Sequence, residues 1–303
     1  MKTKTTLQDT LKSQDTEEWI DLIFYRPIGY QWALFFKKIN VMPNTVTIIS
    51  IILGVAAGVL FYSTNLWINI IGMALLVWAN SYDSADGQLA RMTGNYSRVG
   101  RILDGVAGDF WFISIYVAIC LRLTPEWSYQ IWILAVITGY FHTKQAAMAD
   151  YIRNFHLLFV KGKKGSELDD SKNLNEQAKH LTWKSNFIEK LFMTGYIPYT
   201  KEQEKWTPRL QSFKHALADK FGDNEPPTDF REEFRQASRP MMKYTNILSF
   251  NTRAIVLFIS LFAGVPWIYF VFELTIMNIL LIYMLRKYET ICKRFDIRLR
   301  GND

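Results

Sequence analysis

The 303-residue chain is half apolar, carries a formal net charge of +7 and contains two cysteines and four histidines. Cys120 and Cys292 make no disulfide framework, and neither stands at ligand spacing from a histidine, so disulfide and zinc chemistry are excluded. A mean hydropathy of +0.00 averages long charge-free apolar runs with a polar block of roughly 80 residues, which argues against one soluble globular domain.

In chain order, residues 1–43 read as a cytoplasmic N-terminus. Met1 to Glu18 is polar and lacks the apolar centre of a secretory signal. Glu17 to Lys38 mixes Trp19, Ile20, Leu22, Ile23 and Phe24 with Arg26, Lys37 and Lys38, the pattern of an amphipathic helix lying on a membrane surface. A bilayer core about 30 Å thick needs roughly 20 helical residues. Thr45 to Ser63, Leu66 to Ser81, Val106 to Leu121 and Ile131 to Phe155 meet that need within 44–155. Gly54 and Gly58 give the first run a small-residue packing face. Residues 156–243 read as a cytoplasmic helical insertion, broken at Glu225-Pro226-Pro227. Tyr244 to Leu285 is too long for one span and breaks at Gly264-Val265-Pro266, giving two more in 244–286, before a basic tail at 287–303. The expected fold is therefore all-α, a polytopic membrane protein of six transmembrane helices.

Lys and Arg placement sets the orientation. The connections near Thr64, Pro125 and Val265 contain, among Lys and Arg, only Arg122. The opposite side carries Lys37, Lys38, Arg91, Arg98, Arg101, the basic insertion and the basic tail, so both termini are expected in the cytoplasm. This topogenic bias accounts for the positive charge without nucleic-acid binding.

The chemistry-bearing segment is Asp83-Ser84-Ala85-Asp86-Gly87-Gln88-Leu89-Ala90-Arg91, followed by Gly100-Arg101-Ile102-Leu103-Asp104 and Gly108-Asp109. On a helix Asp83 and Asp86 share a face. Counted inward from the outer turns near Asn65 and Leu121, Asp83 and Asp104 lie at roughly 27 and 26 Å, level with one another. Three carboxylates meeting at the cytoplasmic edge of the bilayer suit Mg²⁺ or Mn²⁺. The alternative is a set of solvated acids paired with Arg91, Arg98 and Arg101.

The run Asp83-x2-Asp86-Gly87-x2-Ala90-Arg91-x8-Gly100-x3-Asp104 resembles the signature of the CDP-alcohol phosphotransferases. The likeness extends over about Thr45 to Arg153, and Pro43-Asn44 resembles the family's opening of the first helix. It implies an integral membrane transferase, a homodimer, with its site facing the cytoplasm. Two divalent ions on Asp83, Asp86 and Asp104 would clamp the pyrophosphate of a CDP-alcohol, which gives up its phospho-group to an acceptor alcohol and leaves as CMP. It also implies that Gly87, Ala90, Arg91 and Gly100 shape the CDP pocket. The family's fourth aspartate falls at position 108, which here is Gly. Asp109 is one residue on, turned about 140° from Asp104 on a regular helix. It serves as the base if a π-bulge absorbs a residue there; otherwise the base lies elsewhere and Asp109 pairs with Lys144.

His142-Thr143-Lys144-x5-Asp150 resembles the family's acceptor-pocket segment, in which a lysine meets a phosphate. Lys144, Arg239, Lys243 and Arg253 together would make a cationic pocket for an anionic acceptor such as inositol phosphate, with CDP-diacylglycerol as donor. In the reverse arrangement CDP-ethanolamine or CDP-choline meets diacylglycerol or a ceramide. Arg253, 11 residues before Gly264, can instead pair with Glu273, 9 residues after it. Readings from other classes are a transporter lined by intramembrane charges, which calls for acids along several helices, and an inactive scaffold lacking the fourth aspartate.

Overall fold

In a computed structural model of the chain the described residues are 7, 13–162, 166, 168–222 and 224–301, with backbone alone at 98, 99, 101, 102 and 188. Most of the N-terminal stretch before Ser13, the last two tail residues and the side chains of Arg98 and Arg101 thus lie outside the described residues. The described residues are helical, with no strand among them. After a π-helical turn at Asp21–Tyr25 come α1 (Arg26–Lys38), α2 (Pro43–Leu60), α3 (Leu66–Thr93), α4 (Arg98–Trp127) and α5 (Gln130–Lys161). The insertion holds α6 (Ser171–Lys179), α7 (Phe187–Trp206), α8 (Pro208–Phe221) and α9 (Thr228–Ile247). Last come α10 (Phe250–Phe262), α11 (Trp267–Phe272), a π-helical turn at Glu273–Met277 and α12 (Asn278–Arg300).

Local chemistry sets the ends of these helices. Pro43 starts α2 at a position where a missing N–H is harmless. Asn65 caps α3 by accepting from the Trp67 amide at 2.8 Å, and Gly94 ends that helix at φ 72°, a conformation costly for residues bearing a Cβ. Ser97 caps α4, accepting from the Gly100 amide at 2.8 Å. Gly264, at φ 71°, and Pro266 separate α10 from α11, as the sequence predicts.

Two compact units result: residues 1–142 with 250–275, and residues 143–249 with 276–303. In the first, α2 is sorted inside out relative to a soluble helix. Its buried positions are Pro43, Val46, Thr47, Ser50, Gly54, Ala57 and Gly58, while Ile48, Ile52 and Val59 are exposed. Small residues inward and branched apolar ones outward is the arrangement expected against lipid. Gly54 lies under the Trp111 indole of α4, and a Cβ at Gly58 would come within 2.8 Å of the Ile115 backbone nitrogen. Trp111 Nε1 donates to the Ser50 carbonyl at 3.2 Å. Beyond this seam Phe61, Leu76, Ile115, Ile119, Leu257 and Phe270 fill the core, with Cys120 buried among them.

The second unit has an aromatic core. Phe155 and Phe159 of α5, Phe213 of α8, Phe234 of α9 and Tyr288 and Phe295 of α12 pack together, the Phe159 and Phe234 rings stacking at 4.0 Å. Glu289 of α12 accepts from the Arg209 and Leu210 amides at 2.8 and 3.0 Å, capping α8, whose own preceding residue gives no side-chain cap. Cys292 is buried on the same helix.

Among the described residues four helical stretches are long and apolar enough to cross a membrane: Pro43–Leu60, Leu103–Trp127, Thr228–Phe262 and Trp267–Arg300. The sequence count of six adds stretches within α3 and α5. Those helices are long enough, but Asn69, Asn80 and Asp83 in α3, and His142, Lys144 and Gln145 in α5, dilute their apolar character.

Candidate active site

α3 continues as an unbroken helix well past Ser81, so its last turns carry Asp83, Asp86, Gly87, Ala90 and Arg91. Helical spacing puts Asp83 and Asp86 on one face, and the first turns of α4 bring Asp104 to them. One carboxylate oxygen from each lies within 4.8 Å of the other two, with Asp86 buried, Asp83 half-buried and Asp104 exposed. Like charges this close, one of them withdrawn from water, repel strongly unless a cation sits among them. The donor set is all carboxylate oxygen, which fits a hard divalent ion and no soft one.

Two neighbours escape sequence reasoning. Thr47 Oγ1 of α2 donates to Asp86 Oδ2 at 2.5 Å, helping to aim that carboxylate from outside the motif. It stands in an apolar run, and the available signal is the polar pair Thr47 and Ser50 at helical spacing. Arg26 of α1 reaches the same end of α3: its Nη1 donates to Ser84 Oγ at 3.4 Å and its Nε to Glu17 at 2.9 Å, while Gln88 Nε2 donates to the Arg26 carbonyl at 3.1 Å.

Each motif glycine has its own surroundings. A Cβ at Gly87 would stand 3.4 Å from the Arg91 guanidinium, so that fork lies back along α3 over position 87. Gly100 lies against the Asn44 carboxamide, which accepts from Ser97 Oγ at 3.1 Å, so the starts of α2 and α4 meet where no side chain intervenes. Gly105 faces open space.

Asp109 does not join the three carboxylates. α4 is α-helical through Gly108 and Asp109, without the bulge that would swing Asp109 round, and its side chain is exposed. Lys144 is ion-paired with Glu202, the partner that the alternative reading assigned to Asp109. Arg253, expected either in a cationic pocket or against Glu273, makes the buried ion pair with Glu273, and its Nη1 lies 2.7 Å from His142 Nδ1. Arg239 and Lys243 are exposed, Lys243 standing 5.0 Å from the Tyr244 ring centre. Burial of Arg253 against a carboxylate thus subtracts one charge from the expected cationic pocket.

Comparison with known proteins finds likenesses over the same stretch of sequence. Residues 40–152 match the family model of the CDP-alcohol phosphatidyltransferases, a stretch that contains Thr47, the three carboxylates and the glycines above. A bifunctional IPC transferase and DIPP synthase from Aquifex aeolicus (strain VF5) is 29% identical over 100 residues, which is 32% of this chain and 22% of that protein. The chain thus spans about a fifth of the length of the curated relative it matches. No solved structure matches the chain.

Proposed function

We propose, from the match of residues 40–152 to the CDP-alcohol phosphatidyltransferase family model, that this stretch is a domain of that kind, that Asp83, Asp86 and Asp104 are its metal ligands, and that it transfers a phosphatidyl group from CDP-diacylglycerol to a polar, anionic alcohol with release of CMP. The observation that carries this reading is the meeting of three carboxylate oxygens within 4.8 Å on the two helices of the motif. Two divalent ions, Mg²⁺ or Mn²⁺, would neutralise the pyrophosphate and the charge that grows on the leaving oxygen. Thr47 holds Asp86 in place for them. Gly87, Ala90, Arg91 and Gly100 border the CDP moiety, with Arg91 supplying a fork for phosphate. The acceptor hydroxyl attacks the phosphorus that bears the lipid alcohol, the bond to CMP breaks, and a carboxylate takes the hydroxyl proton.

Lys144 is proposed to meet the anionic group of the acceptor; the resemblance of its segment supports this. Headgroup transfer from CDP-ethanolamine or CDP-choline to a lipid alcohol is the competing substrate assignment. Further parts of the reading are six spans, an interfacial helix at Glu17 to Lys38, a homodimer and a site open to the cytoplasm. The exposed apolar faces of α2 and α4 and the placement of Lys and Arg support the membrane reading.

The test is CMP release by the purified chain, with CDP-diacylglycerol or CDP-ethanolamine, a panel of acceptors, and Mg²⁺ or Mn²⁺ present or chelated. Wild type should release CMP only with metal, and Asp86→Asn and Asp104→Asn should each lose at least about a hundredfold. Full turnover in either variant would remove the metal assignment. Asp109→Asn should keep most of its turnover because its carboxyl stands apart from the other three; a loss as deep as that of Asp86→Asn would restore it as the base.

A further inference from the structure

Within the second unit, α7 turns Tyr199, Glu202, Gln203 and Trp206, at spacings of three and four, toward Thr143, Lys144, Ala147 and Met148 of α5. Gln203, itself buried, donates through Nε2 to the Ala147 carbonyl at 2.9 Å, which fixes the register of the two helices. In that register the Glu202 carboxylate comes to the Lys144 ammonium and the two pair. Their side chains are 15% and 33% exposed, so the pair is partly withdrawn from water. The space left inside is about 20 Å³, room for a water molecule and nothing larger.

A half-buried pair of this kind adds little to stability, and neither helix needs it for register. Its chemistry is that of a ligand site already filled from within: a carboxylate holds the place beside an ammonium that a phosphate or carboxylate oxygen of a small molecule would take. We propose that Glu202 is an internal counter-ion which the anionic group of the acceptor displaces from Lys144, so that α7 of the insertion sets which acceptors enter. A phosphorylated alcohol replaces one ion pair with another. A neutral alcohol offers no charge in exchange for the pair it would part, and is turned away. In naming the ligand as the acceptor alcohol the inference rests on the function proposed above.

Calorimetry on the full chain in detergent tests it, with inositol 1-phosphate and glycerol 3-phosphate as probes against inositol and glycerol. Glu202→Gln should bind the phosphorylated probes about fivefold more tightly than wild type, since they no longer compete with the carboxylate. Lys144→Gln should abolish that binding, Lys144→Arg should retain it, and Lys144→Gln/Glu202→Gln should behave as Lys144→Gln alone. In turnover, Glu202→Gln should lower KM for the phosphorylated acceptor and leave KM for the CDP-linked donor in place. Unchanged or weaker binding by a Glu202→Gln protein that melts like wild type overturns the inference, as does equal tightening for the neutral alcohols. If no donor yields CMP while the binding pattern holds, the transferase reading falls and the anion subsite stands. If CMP is released and Glu202→Gln moves neither acceptor affinity nor acceptor KM, the reverse is true.

Discussion

Arg253 and Glu273 set a cation and an anion, both withdrawn from water, against His142, whose Nδ1 is also 3.1 Å from the Tyr116 hydroxyl. Desolvating two charges offsets most of what their attraction returns, so the pair stabilises chiefly by comparison with either charge left alone. Arg253→Ala should therefore cost about 3–5 kcal/mol, whereas Arg253→Met/Glu273→Leu should recover most of that loss; thermal melts in detergent compare them. A double variant no better than the single one would mean that the charges also order the helices around them. The sequence offered this pair only as the alternative to a cationic pocket, on the ground that residues at similar distances either side of a Gly-Val-Pro break face each other across a hairpin. The three carboxylates were legible for a similar reason: i, i+3 spacing and equal depth are properties of the helix alone. Thr47 and Glu202 were not. One is a hydroxyl in an otherwise apolar run, paired only with Ser50 one turn on, the other lies 58 residues from its lysine, and no local rule connects either to its partner.

Among the elements, α2 determines how close its neighbours come. Trp111 reaches the Ser50 carbonyl only because Gly54 has no side chain beneath the indole, and Ser114 Oγ donates to the Val55 carbonyl at 2.9 Å along the same seam. At Gly54 an indole can slide aside. At Gly58 the obstacle includes the α4 backbone, which cannot move without moving the helix that carries Asp104. Gly58→Val should thus separate α2 from α4, costing about 1–3 kcal/mol by overpacking and lowering the yield of monodisperse protein on size exclusion, while Gly54→Ala is milder. Equal yields for Gly58→Val and wild type would deny the seam its role. The sequence reading caught the glycine face but ended the second span at Ser81. Polarity marks where lipid contact ends, and a helix has no reason to stop there while hydrogen bonding and packing continue.

At the scale of the whole molecule, the polar insertion and the end of α12 share one core, which the sequence reading treated as separate regions. The cue was aromatic content without periodic spacing: Phe155, Phe213, Phe234 and Phe295 come from four helices, and only the tertiary fold shows that they meet. Within this unit Asp170 caps α6, accepting from the Lys172 amide at 2.9 Å, and pairs with Lys214 of α8 at 3.2 Å. Burial alone would raise its carboxyl; the Lys214 ammonium and the two capping amides outweigh burial and hold it below its ordinary value of 3.8. The folded state therefore favours the anion, so the stabilisation is present above the unfolded value and is lost as pH falls through the folded one. Asp170→Asn, which keeps a good cap but loses the charge, should melt lower than wild type at pH 7, by up to about 1 kcal/mol for a partly screened pair. The two melting curves should converge as pH falls below the folded carboxyl's own range, and a gap that persists once Asp170 is protonated would point to geometry rather than charge.

Cys120 and Cys292 are sealed, one in each unit, and thiol reagents act on sulfur that solvent can reach. A native molecule therefore presents a dark background to maleimide dyes, so a single cysteine introduced at a loop reports which side of the bilayer it occupies. The natural thiols then light up only when their own unit opens, timing the unfolding of each half in the same tube.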